Sequence, residues 1–149
     1  MSERCLVVDD HLLLRILMRD EPPGLFANGP ARVCTTGLFY HRLCRATSNP
    51  RAEGSLSRQL GSADPWPAAA ALRAVAVLPD TVGLASLREL AWPMARLLAD
   101  GVRLNLLGLE ALAASEHYGA ELCLAPLNTN PQLLSAAAAR GVATRLVGD

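Results

Sequence analysis

Lysine is absent from these 149 residues: all 14 basic side chains are arginine, and 14 acids balance them. With no net charge there is no overall field toward nucleic acid or a membrane, so any nucleic-acid contact must be local. Aromatic residues make up only 4% of a chain that is 51% hydrophobic, which leaves leucine, alanine and valine to fill the core. No apolar run approaches the ~20 residues needed to span a bilayer. Glu3, Arg4, Asp9 and Asp10 interrupt the N-terminal apolar stretch, which argues against a signal peptide and for a cytosolic protein. The four cysteines (Cys5, Cys34, Cys44, Cys123) show no CxxC spacing, and buried free thiols are expected of them. Cys44 follows His41 by three residues, a helical spacing that could hold zinc, but no second ligand pair follows. G-x-S-x-G, Walker A and G-x-G-x-x-G are also missing, which argues against hydrolase, nucleotide-binding and dinucleotide-binding readings.

What is present alternates between strand and helix. Cys5 to Val8 reads as a short buried strand, and His11 to Arg19 as a leucine-rich helix stopped by Asp20-Glu21-Pro22-Pro23-Gly24. Arg32 to Thr36 is a second strand and Gly37 to Ala46 a helix. Thr47 to Pro67 is rich in Ser, Gly, Pro and Arg and is expected to be a surface loop or a short helix around Ser57–Leu60. Pro67 to Val77 is helix-like. Ser86-Leu87-Arg88-Glu89 is a capping box that opens a helix ending before Gly101, with Pro93 inside it. Leu109 to Tyr118 is a helix, Glu121 to Ala125 a strand, Asn130-Pro131 a helix start, and Val142 to Val147 a last strand. Helix, glycine, strand repeated at the C-terminus signals parallel βαβ units. One domain covering 1–149 is expected, a size that buries about 68–70% of the unfolded surface.

Asp9 ends the apolar run Leu6-Val7-Val8, and the C-terminal lip of a parallel strand is where open α/β sheets keep ligand sites. Glu110 opens a second apolar helix that could face the same crevice. Two such acids can hold magnesium, and each has a structural alternative. Asp9 and Asp10 could cap the helix that follows, and Glu110 could be a first-turn acid of its own helix. Glu89 reads as the capping-box partner, Asn130 as a cap, and His41 and His117 as surface or satisfied histidines. Tyr40, His41, Arg42 and Arg45 share one helix and could touch RNA, or form a solvated basic face.

L-V-V-D-D-H-L-L-L-R (Leu6 to Arg15) and L-E-A-L-A-A-S-E-H-Y-G-A-E-L-C-L-A (Leu109 to Ala125), in this order and spacing, resemble the PIN-domain family. That family includes the VapC-type ribonucleases of bacterial toxin–antitoxin pairs. The resemblance covers most of the chain outside Thr47 to Pro67. It implies a three-layer α/β/α sandwich with a mostly parallel sheet, and carboxylates at its C-terminal lip that hold magnesium or manganese. It also implies metal-dependent cleavage of RNA, an antitoxin partner and a homodimer. The leucine-rich helices His11–Arg19 and Ser86–Asp100 are the candidate dimer interfaces.

Carried over residue by residue, Asp9 matches the family's first acid and Glu110 a later one. The glutamate expected near Tyr40 or His41 is missing, and the segment Pro126 to Asn130 offers Asn128 where the family has an Asp. Asp10 and Asn128 are the candidates to complete a site on Asp9 and Glu110, with Arg42 and Arg45 on RNA. A dication should be held weakly after losing two of four charges, each worth about 4 kcal/mol at ~4 Å and an effective dielectric near 20. Two functions follow: a magnesium-dependent ribonuclease, or a PIN-like module that binds a protein or RNA without chemistry. V-V-D-D-H-L-L-L-R is also similar to the opening of receiver domains. A working receiver is excluded, because the chain lacks lysine and a strand-ending Asp between Asn49 and Leu60; a degenerate one would share the broad fold class.

Overall fold

The computed structural model describes residues 3–49 and 54–148. Its centre is a sheet of five parallel strands: β1 (Cys5–Val8), β2 (Arg32–Thr36), β3 (Val82–Ala85), β4 (Glu121–Leu124) and β5 (Thr144–Leu146). They lie in the order β3-β2-β1-β4-β5. Seven α-helices connect them: α1 (Asp10–Leu17), α2 (Gly37–Ser48), α3 (Ser55–Gly61), α4 (Pro65–Ala76), α5 (Leu87–Ala99), α6 (Leu106–Tyr118) and α7 (Pro131–Ala139). Successive strand residues point to opposite faces. Leu6 and Val8 therefore pack with α1 to α4, and Val7 with α5 to α7. Both faces are covered, so the strands carry near-continuous apolar runs instead of alternating ones. This is the α/β/α sandwich expected from the sequence.

The strand order settles one alternative. Receiver-like sheets run 2-1-3-4-5, whereas here the chain winds outward from β1 to β3 before crossing to β4. A degenerate receiver is excluded. The reversal falls between β1 and β4, and its crevice lies beyond their C-terminal ends.

Local chemistry explains most of the element ends. Asp9, Thr36, Asn105 and Asn130 each accept an amide from the first turn of the helix they precede, a cap worth typically ~1 kcal/mol. Gly119 closes α6 in the left-handed conformation, with φ 58°. Ser86 does cap α5, but through Arg88 N, and the Glu89 carboxylate accepts from the Tyr118 hydroxyl instead of closing a box.

Several other expectations need correction. Strand β3 has no counterpart among the sequence expectations, because Gly83 weakens an already short apolar stretch. Helix α6 starts at Leu106, so Glu110 lies well inside it and not at its opening. The expected loop is largely helical: α2 reaches Ser48, α3 follows, and α4 begins at Pro65; residues 50–53 lie outside those described. As a dimer interface α1 fails, since Leu12, Leu13, Leu14 and Leu17 are buried within the chain. Helix α5 keeps Leu87, Trp92 and Leu98 exposed, with Leu84 exposed on edge strand β3.

Candidate functional site

The crevice at the reversal between β1 and β4 is where two of the sequence-predicted residues meet a third. Asp9 leaves β1, Asp10 opens α1, and Asn128 ends the short 3-10 turn Pro126–Asn128 after β4. Asp9 is fully buried. Its Oδ1 accepts from Leu12 N at 2.9 Å, while Oδ2 accepts from Ala125 N at 2.7 Å and Asn128 Nδ2 at 2.8 Å. Asp10, equally buried, accepts at Oδ1 from His11 N at 2.9 Å and from the same Asn128 Nδ2 at 2.7 Å. One amide nitrogen thus ties both carboxylates together. The sequence suggested an Asn128 carbonyl oxygen facing a metal; the amide instead presents its nitrogen to the acids.

The second Asp10 oxygen, Oδ2, is buried and makes no hydrogen bond. Its companion is Arg42, whose Nε lies 3.2 Å away in an ion pair too poorly aligned to count as a hydrogen bond. Arg42 extends from α2, and its side chain remains 41% exposed. The residue expected on RNA therefore neutralises an acid of the rim. Arg45 is exposed one turn onward and, with Arg42, Ser48, Ser55 and Ser57, borders a cavity of 420 Å³.

Glu110 sits at the same end of the sheet but serves the next helix. Its Oε1 accepts from Leu38 N at 2.8 Å, in the first turn of α2. Gly37 is not required for this approach: a Cβ there would stand 3.7 Å from Oε2, an ordinary van der Waals contact. β1 and β2 are adjacent and in parallel register, so the turns after them place Asp9 and Glu110 at a single rim. His11 is buried, and nothing in the sequence marks it as a site residue. Its Nε2 meets Ser55 Oγ at 2.9 Å and its Nδ1 meets Gln59 Oε1 at 3.0 Å, which pins α3 to α1.

Burial dominates the electrostatics of Asp9. It pushes the Asp9 carboxyl above the usual carboxylate range, the charge of Asp10 adds to the rise, and the bonds from Leu12, Asn128 and Ala125 oppose it.

A divalent ion needs oxygen lone pairs converging on one point. Here N–H groups of Leu12, Ala125 and Asn128 occupy the Asp9 oxygens, and a guanidinium faces the orphaned Asp10 oxygen. Among the described residues, no three His, Cys, Asp or Glu side chains come together closely enough to hold a metal. This donor set does not fit a resident magnesium or manganese ion.

Comparison with models of known families finds no match, and comparison with curated protein sequences finds none either. Solved structures do match. A structure of VapBC-1 from nontypeable Haemophilus influenzae aligns with a TM-score of 0.54 at 13% identity, covering 95% of this chain and 97% of that one. PAE2754 from Pyrobaculum aerophilum aligns with a TM-score of 0.53 at 16% identity, covering 97% and 92%. With the parallel sheet and the strand order above, these likenesses give the chain a PIN-domain, VapC-like fold.

Proposed function

We propose that this chain is a PIN-like binding module that works through a protein partner and not through metal-dependent cleavage of RNA. One observation carries the reading: Asn128 Nδ2 bridges Asp9 and Asp10 while Arg42 pairs with the remaining Asp10 oxygen. The rim is occupied from within by an amide and one guanidinium, and the residues that a nuclease would turn toward metal and RNA are turned toward each other. No helix among the described residues is long and apolar enough to cross a membrane. The resemblance to VapC-type toxins makes an antitoxin-type protein the expected partner in a bacterial cytosol. The exposed apolar residues Leu87, Trp92 and Leu98 of α5 provide the face where that partner, or a second copy in a homodimer, would dock.

Titration with magnesium or manganese, followed by calorimetry, tests this directly. No heat of binding at millimolar metal, together with RNA cleavage no faster with metal than without, is the expected result. Saturable binding abolished by Asp9→Asn would instead establish the nuclease. A specific observation favours that second reading: the buried Asp10 oxygen lacks a hydrogen bond, and Asp9, Asp10 and Glu110 share one end of the sheet. It requires Arg42 to swing off Asp10 toward an RNA phosphate beside Arg45. Asn128 would also have to turn its amide over and present oxygen.

A further inference from the structure

Two of the four cysteines meet on the sheet, away from the acidic rim. Cys5 on β1 pairs with Arg32, and Val7 pairs with Cys34, so the two cysteines are diagonal neighbours on adjacent strands. Their Sγ atoms lie 3.5 Å apart, and both are free thiols. Cys5 is only half-buried. The pair borders a cavity of 420 Å³ that Gly83, Glu89 and Tyr118 also line. Gly83 relieves crowding here: a Cβ at that position would stand 3.0 Å from the Cys34 Cβ, so one of the two would have to shift.

We propose that Cys5 and Cys34 form a dithiol site for a thiophilic trivalent centre, of the organoarsenical class. Two bonds to sulfur of about 2.3 Å, the length thiolates make to zinc, span about 3.3 Å when they meet at a right angle and about 3.8 Å at the tetrahedral angle. The observed 3.5 Å lies between these limits, so a bent bridge forms with almost no movement. A disulfide would require the sulfurs to close by about 1.5 Å, to about 2.05 Å, by rotation of both side chains. Structural zinc takes four protein ligands, and among the described residues no third His, Cys, Asp or Glu joins the pair. A ligand that brings its own third substituent meets that shortfall. The step is a condensation: two arsenic–sulfur bonds form, the arsenic–oxygen bond of the oxide breaks, and both thiol protons leave with that oxygen as water. No electrons are transferred. Burial, followed by the neighbouring Cys5 sulfur, pushes the Cys34 thiol up to about 12. At neutral pH it is mostly protonated, which slows arsenical uptake and peroxide attack alike, because both proceed through the thiolate.

Phenylarsine oxide added to the folded protein is the probe, read by intact mass and by counting free thiols. One adduct per chain is expected, with the thiol count falling by two; it should survive excess glutathione and be released by 2,3-dimercaptopropanol. Cys5→Ser, at the half-buried position, should keep the wild-type circular dichroism spectrum and lose the glutathione-resistant adduct, while Cys44→Ser retains it. Failure of the folded wild type to take up the arsenical, or an equally resistant adduct in Cys5→Ser, overturns the proposal. So does conversion of the pair to a disulfide by mild peroxide without arsenical uptake.

Discussion

Replacing Asn128 by aspartate should damage the protein in a way that manganese repairs. In the wild type, Asn128 Nδ2 donates to Asp9 at 2.8 Å and to Asp10 at 2.7 Å. A hydrogen bond to a charged group contributes ~1.5–3 kcal/mol, so losing both costs about 3–6 kcal/mol before any repulsion is counted. A third carboxylate facing two buried ones adds to that loss. Even at about 3 kcal/mol the melting midpoint should fall by roughly 6–12 °C. Three acids facing one point are, however, a ligand set for a dication. Manganese at a hundred times its dissociation constant would then restore ~2.7 kcal/mol. The assay is thermal unfolding of wild type, Asn128→Asp and Asn128→Ala, each with and without millimolar manganese. Only the aspartate variant should respond to the metal; the alanine variant should be destabilised but indifferent. If the wild type gains as much from manganese as the aspartate variant, or that variant melts like the wild type without metal, the reading of a rim occupied from within is wrong.

Other consequences are open to simpler measurements. Because burial raises the Asp9 carboxyl, the native state holds that proton more tightly than the unfolded chain, whose value is about 4. Stability from this group is therefore full below that value and declines as pH rises through the raised one. Urea melts from pH 4 to 8 should show the stability of wild type relative to Asp9→Asn falling as pH climbs; a rising difference would mean the three N–H donors outweigh burial. Gly83→Ala places a Cβ 3.0 Å from the Cys34 Cβ and should cost about 1–3 kcal/mol by overpacking. Gly37→Ala, with its nearest neighbour at 3.7 Å in a helical first turn, should be neutral or stabilising by up to ~1 kcal/mol in the same denaturation assay. Burial pushes the Cys123 thiol up to about 12, so its alkylation by iodoacetamide at pH 8 should run roughly a thousandfold slower than that of an ordinary thiol of pKa near 8.5. A rate like that of free cysteine would contradict the burial.

The frame was legible because its signals are local. The run Leu6-Val7-Val8 before Asp9, the caps Ser86 and Asn130, and the glycines that stop α6 and α7 are all written within a few residues. Strand β3 was hidden because its four residues include Gly83, and its partner in register is some fifty positions away. The site was half legible. Asp9 and Glu110 could be placed at one end of the sheet from order alone. The role of Arg42 could not, since its approach to Asp10 depends on how α2 leans on α1. The orientation of the Asn128 amide likewise follows from which atoms surround it. Nothing in the sequence joined Cys5 to Cys34, a pairing that exists only once β1 and β2 are in register.

The wholly parallel sheet bears on what the acids at its end mean. Each helix that follows a strand starts at the same end, so the positive poles of the α1 and α2 macrodipoles lie close together there. Asp9 accepts from the first turn of α1 and Glu110 from the first turn of α2. Acceptor oxygens are thus favoured at this pole whether or not a reaction takes place. Acids at such positions can outlast a lost activity because folding alone selects them, so their presence is a weaker mark of catalysis in this architecture than the company they keep.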